Sequence, residues 1–331
     1  MKLFNVLSIA ALVFATVACS TGDMMDTEST SINTIATSAD NNNAYLSLNI
    51  NSSNVNTKAV DADEIGQTIS SCTVILYNND GIQSINDNLE VAADGTVNTT
   101  LYTKARSDEK VMVIANSTVK FAGNVTTMED VNNMLQTVSS FSADKLVKVG
   151  TEALDFSKTT PSASTVKTSA NTLSVSVTVS QLAACIRLAA FNVVAYNGKA
   201  ADVKVTKVTL NNAKLSEYTN NTEDMNAAVA SSSINVNENV AVGGSLSTTP
   251  TFFSFANTSS NATSMTIDFT VGGKAYSKTY TINNGAVNSG VLYNLTVNMT
   301  INNNNVDVNF TTYTSDWAEG GTINIDMTRN N

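Results

Sequence analysis

Between Val291 and Ile301 the chain reads VLYNLTVNMTI, in which Val291, Tyr293, Leu295, Val297, Met299 and Ile301 fall at every second position and, from Tyr293 on, alternate with Asn294, Thr296, Asn298 and Thr300. Successive side chains of a β-strand point to opposite faces, so this stretch suits both solvent and core only as a strand with one buried face. A helix would scatter the six apolar residues around its circumference. The same period of two recurs along the chain. AYLSLNI puts Leu46, Leu48 and Ile50 on one face, and CTVILYN, VNTTLYT and EKVMVIAN follow, separated by turn signals such as NNDG and AADG. Later come LSVSVTV, CIRLAAFNVVAY, DVKVTKVTL, TFFSFAN, MTIDFTV, YSKTYTI, VDVNFTTY and TINIDMT, with NNG, VGG and GG as turns. The expected fold class is all-β, with two antiparallel β-sandwiches in tandem.

One segment departs from this period. TTMEDVNNMLQTV has Val131, Met134, Leu135 and Val138 at helical spacing, opened by Thr126 with Glu129 three residues on, which predicts one short capped helix in the first half. The polar run SKTTPSASTVKTSAN has no periodicity and reads as a domain boundary. It divides an N-terminal sandwich over residues 44–167 from a C-terminal one over 168–331.

The first residues set the compartment. Lys2, an apolar run from Val6 to Val17 too short to span a bilayer, and small residues before Cys19 read as a secretory signal peptide over residues 1–18. Thr16-Val17-Ala18-Cys19 resembles a bacterial lipobox, although an aliphatic residue is commoner than threonine at its head. On that reading Cys19 is acylated and residues 19–43 form a polar tether. The alternative is an ordinary signal-peptidase cut after Ala18 with Cys19 incidental.

Composition excludes several function classes. A formal charge of -10 with no basic cluster leaves no electrostatic footprint for nucleic acid. The chain has no histidine, which removes Ser-His-Asp and Cys-His catalysis and imidazole metal ligands, and its three cysteines are too scattered for a zinc site. Cys72 and Cys185 sit in alternating apolar stretches and read as buried thiols rather than a bridge. Asp61, Asp63, Glu64 and Asp80 read as solvated loop charge; the glycine and distant glutamate of an EF-hand loop are missing. Exposed tryptophans suited to stacking on sugars are not in evidence either, since Trp317 is the single tryptophan. Neither an enzyme nor a bound cofactor is expected. What stands out is Lys58, because no other lysine or arginine occurs between Lys2 and Lys104. It is either a site for a trypsin-like protease or a solvated loop cation.

Taken in order, the lipobox-like leader, AYLSLNINSSNVNTKA, TISSCTVILYNNDG, EKVMVIANS, the small helix, VTVSQLAACIRLAAFNV, FFSFANTSSNATSMTIDFTV, GVLYNLTVNMTI and DWAEGGTINIDM resemble the fimbrillins, lipoprotein pilins of the Bacteroidales. The resemblance implies two transthyretin-like sandwiches and export to the outer membrane as a lipoprotein. It also implies cleavage at the cell surface by a trypsin-like protease, here between Lys58 and Ala59. Oral relatives usually carry arginine where this chain has lysine. Cleavage would remove a leader, residues 44–58, whose apolar face is Leu46, Leu48 and Ile50. The vacated place would be filled by the C-terminal strand of another copy, here Ile323, Ile325 and Met327, giving a head-to-tail fimbria built with other fimbrial subunits and supporting adhesion. Uncut relatives act as membrane anchors. The competing expectation is therefore an anchor-type or monomeric surface lipoprotein that binds a glycan or a host protein.

Overall fold

A computed structural model describes residues 42–52, 69–97, 99, 101–137, 146–195, 202–258, 261–302, 305–316 and 323–324. Cys19, Lys58, Ala59, Ile325 and Met327 lie outside these described residues, as do the signal peptide and most of the tether.

The first sheet has seven strands. They are β1 (Asn43–Ser52), β2 (Ser71–Asn78), β3 (Gly81–Glu90), β4 (Leu101–Lys104), β5 (Lys110–Ala115), β7 (Lys148–Ala153) and β8 (Thr172–Gln181), in the spatial order β3-β2-β5-β7-β8-β1-β4. β7 and β8 share only the pairs Lys148↔Gln181 and Val149↔Ser180. At this narrow joint the sheet doubles over into a sandwich, because side chains from both arms meet in one core: Leu46, Leu48 and Ile50 from β1 and Val177 and Val179 from β8 meet Val74, Leu76, Val111 and Val113 from β2 and β5.

Two sequence expectations are corrected here. LSVSVTV, placed at the head of the second sandwich, is β8 and completes the first; the polar run before it is a crossover within one sandwich, and composition alone does not distinguish a crossover from a linker. The sandwiches are also not purely antiparallel. β8 runs parallel to β1 from Tyr45↔Thr172 to Ser52↔Val179, and the second sandwich has a parallel pair of its own. Alternation reveals which face is buried and says nothing about a neighbour's direction.

The second sandwich packs a sheet of β12 (Val229–Val240), β10 (Val203–Lys214), β14 (Ser264–Val271) and β15 (Lys274–Thr281) against one of β13 (Thr251–Ser254), β9 (Ala184–Ala195), β16 (Val291–Asn302), β17 (Asn305–Asp316) and β18 (Ile323–Asn324). Tyr293, Leu295, Val297, Met299 and Ile301 of β16 are buried in its core as the alternation requires, and Val291 packs at its margin. The VGG turn is the two-residue hairpin between β14 and β15, where Gly272 and Gly273 have φ of 54° and 81°, the left-handed values that such a turn requires.

The expected helix is shorter than its periodicity suggests. α1 (Met128–Asn132) is capped by Thr127, with Asp130 rather than Glu129 completing the capping box, and Val131 is its buried residue. Leu135 belongs instead to β6 (Leu135–Thr137), which pairs with β11 (Ser216–Tyr218) from the second half. Around this bridge a third apolar cluster joins the sandwiches, with Ile75, Met112, Ile114, Phe121 and Val131 against Leu182, Cys185, Phe253 and Phe255. Cys72 and Cys185 are buried and lie in different apolar clusters.

Candidate functional site: the slot that holds the first strand

β1 is an interior strand. One edge pairs with β8 along eight residues. On the other edge, Asn43 to Leu46 pair with β4, and then Leu48 and Ile50 bond to a tight turn: Val97 N–H donates to Leu48 O at 3.1 Å and Ile50 N–H to Gly95 O at 2.8 Å. Gly95 has φ of 83°, and a Cβ there would stand 2.3 Å from the Ile50 carbonyl oxygen, so only glycine lets the turn approach β1 this closely. Ala44, Leu46, Leu48 and Ile50 point into the core with exposures of 0, 0, 1 and 3 %. Burying each of the three larger side chains contributes roughly 1.5–3 kcal/mol. Without β1 the first sandwich would have a slot open along its length, with unpaired backbone groups on both walls and a dry apolar floor.

The outer wall of the slot is pinned to the opposite layer by a buried carboxylate. Thr103 Oγ1 of β4 donates to Glu109 Oε1 at 3.3 Å, and Asn78 Nδ2 at the end of β2 donates to Glu109 Oε2 at 3.1 Å. Burial raises the Glu109 pKa, and the bonds from Asn78 and Thr103 partly offset that.

The structure thus brings Leu46, Leu48 and Ile50 together on one buried face. The backbone of Ile323 lies in β18, opposite Thr314 on the edge of β17 in the second sandwich. Asp80, read as loop charge, pairs at the surface with Arg106 at 2.7 Å. Asp61, Asp63 and Glu64 lie outside the described residues.

Sequence reasoning missed a second polar assembly beside the β6–β11 bridge. Glu217 of β11 is fully buried, accepting from Ala256 N–H at 3.1 Å and from Ser289 Oγ at 2.8 Å. Lys214, 1 % exposed, donates to Glu223 Oε1 at 2.8 Å and to the Asp224 carbonyl at 2.7 Å. Desolvation pushes the Glu217 carboxyl up to about 7, and Glu223 adds to the shift while Ser289, Ala256 and Lys214 oppose it. No sequence signal marks these residues, since Lys214, Glu217 and Glu223 are spread over ten residues without a motif spacing. A nearby cleft of about 340 Å³ is lined by the apolar Met112, Val149 and Leu182 together with amides and hydroxyls such as Asn132, Thr151 and Asn220, with no aromatic ring among the described lining residues for a sugar to stack on.

No protein-family model matches the sequence, and no curated protein does. Solved structures do. A candidate cell-adhesion protein from Parabacteroides distasonis ATCC 8503 aligns with a TM-score of 0.59 at 18% identity, covering 82% of this chain and 98% of that one. A second from the same organism gives 0.53 at 12% identity, covering 83% and 99%. A fimbrilin from Porphyromonas gingivalis W83 gives 0.50 at 13% identity, covering 83% and 98%. The chain shares its fold with these proteins. The likeness runs through both sandwiches and covers nearly the whole of each solved chain.

Proposed function

We propose that the chain is a subunit of a surface fimbria, a structural protein rather than an enzyme. In this reading it is exported with a lipid on Cys19, cut between Lys58 and Ala59 by a trypsin-like protease, and joined head to tail with further copies and other fimbrial subunits. The observation that carries the reading is the interior position of β1. The strand that ends just before Lys58 fills a slot between β8 and β4, and a copy without it needs another strand in its place. A neighbour's C-terminal segment has the required alternation, with Ile323, Ile325 and Met327 three apolar residues at a spacing of two. Filling each slot from the next copy is a heterologous contact that does not close on itself and so grows as a fibre. The fold shared with a fimbrilin and with candidate adhesion proteins agrees with this reading.

Replacing Lys58 with glutamine in cells that make the protein tests the cut. Dissociation-resistant oligomers are expected to disappear from the surface while the monomer, still carrying residues 43–52, accumulates. Undiminished oligomers in Lys58→Gln cells would refute cleavage-triggered assembly.

A further inference from the structure

β1 is gripped unequally along its length. At its far end from Lys58, Asn43 is 4 % exposed and is the centre of a converging network. Its Oδ1 accepts from Lys104 Nζ and from Tyr102 Oη, both at 2.6 Å, and its Nδ2 donates to the Ala163 carbonyl at 3.1 Å. Its backbone exchanges bonds with Ser162 at 3.0 and 3.1 Å. Tyr45 adds a backbone bond to the Asn171 carbonyl at 2.8 Å, a hydroxyl bond to the Thr165 carbonyl, and an edge-on contact with Tyr102 at 5.7 Å between centroids.

Residues 162–171 therefore form a strap over the start of the strand. The strap is itself braced by buried Asn171, whose Oδ1 accepts from Thr168 N–H at 2.7 Å and whose Nδ2 donates to the Val166 carbonyl at 3.0 Å. Among the described residues the end nearer Lys58 shows no such hub: opposite β8 it meets the turn at residues 94–97, through the two Gly95 and Val97 backbone bonds and one from Asn49 Nδ2 to the Asp94 carbonyl at 3.2 Å.

We propose that Asn43 is a retention latch, so that cutting the chain at Lys58 does not by itself release the leader. This rests on the cleavage reading above and adds its regulation. Cys19 lies on the same fragment as β1, so the seated leader still ties the cut subunit to the membrane, now without a covalent bond. A strand entering the slot displaces β1 from the Ile50 end, where the grip is weaker, and breaks the Asn43 network last. Release from the membrane is thereby coupled to the arrival of a partner, and a cut subunit with an empty, aggregation-prone slot is avoided.

The test uses the full mature chain in detergent, treated briefly with a lysine-specific protease, with intact mass establishing the Ala59 terminus and native gel filtration following the fragment that holds β1. The fragment is expected to co-migrate with the body. Removing hydrogen bonds to a charged partner at a buried site is expected to speed its loss roughly tenfold or more in Asn43→Ala. Lys104→Met, which leaves the leader intact and covers the case in which Asn43→Ala does not fold, is expected to act in the same direction, whereas Asn51→Ala at the other end changes the rate little. Immediate separation in the unaltered chain, or equal rates for the Asn51 and Asn43 variants, would overturn the latch and leave strand removal standing. A chain that the protease cannot open at Lys58 would overturn both.

Discussion

β1 and β16 occupy similar positions in the two sandwiches. Each carries an alternating apolar face into a core, and each runs parallel to one neighbour, β8 for the first and β9 for the second. They differ on the opposite edge. β16 pairs with β17 without a break from Val291↔Asp316 to Asn302↔Asn305, whereas β1 has four paired residues of β4 and then a turn. They differ also in connection: β16 has chain of its own sandwich on both sides, while β1 is the first described strand and is followed by a single link that contains Lys58. An alternating apolar strand is thus marked for burial, and its connections decide whether it can be exchanged.

The sharpest way to break the comparison is to leave β1 out. A chain beginning at Ala59 is not expected to appear as a folded monomer; it should oligomerise or lose the first sandwich, and a peptide of residues 43–52 added in trans should yield monomer. Light scattering with near-ultraviolet circular dichroism reads this, and a folded monomer without peptide would show that β1 is dispensable. Omitting β16 should have no such rescue, because its place is built into a continuous ladder.

Point substitutions sharpen it further. Leu48→Ala and Leu295→Ala each remove a buried leucine and should each cost about 2–5 kcal/mol in denaturant unfolding. Only Leu48→Ala should also speed leader loss after the cut.

Between the two regions sits Glu217, and its raised pKa has a definite sign. The unfolded carboxyl titrates near its ordinary value and the folded one near 7, so the folded state binds this proton more tightly. The stability it contributes is fully present below the unfolded pKa and is lost as pH rises through about 7, an effect of roughly 3 kcal/mol. Glu217→Gln, which cannot ionise, should flatten that fall in a series of melts between pH 5 and 8. An unchanged slope would mean that Glu217 is not the titrating group. The smallest effect concerns the thiols. Burial pushes Cys72 up to about 12, and Cys72 shares its core with β1, so it should resist alkylation at neutral pH until the leader leaves. Cys185, in the junction cluster, should stay protected throughout.

The strands legible in the sequence were those whose buried face is apolar at every second position, such as β1, β14 and β16. β3 and β12 escaped notice because bulges interrupt their register, at Cys72/Val74 and Leu76/Tyr77 against β3 and at Val205/Lys207 and Leu210/Ala213 against β12, and because Ala230 and Ser232 of β12 carry little apolar signal. The helix cap was misplaced by one residue because Thr126-Thr127 and Glu129-Asp130 offer two equivalent capping boxes. The apolar floor of the slot could be read from Leu46, Leu48 and Ile50, but its walls could not, since β8 lies more than a hundred residues away and pairing direction leaves no local trace. Asn43 looks like the end of a polar tether in the sequence for the same reason: its side-chain partners stand 59, 61 and 120 residues along the chain.

The most direct measurement is intact mass and N-terminal peptide mapping of the protein taken from the surface of cells that make it, with monomers and oligomers separated first. Oligomers whose chains begin at Ala59 and lack residues 43–52 are the expected finding. Oligomers whose chains begin at acylated Cys19, with β1 still attached, would show that the slot is not emptied and that the first strand is an ordinary part of the fold.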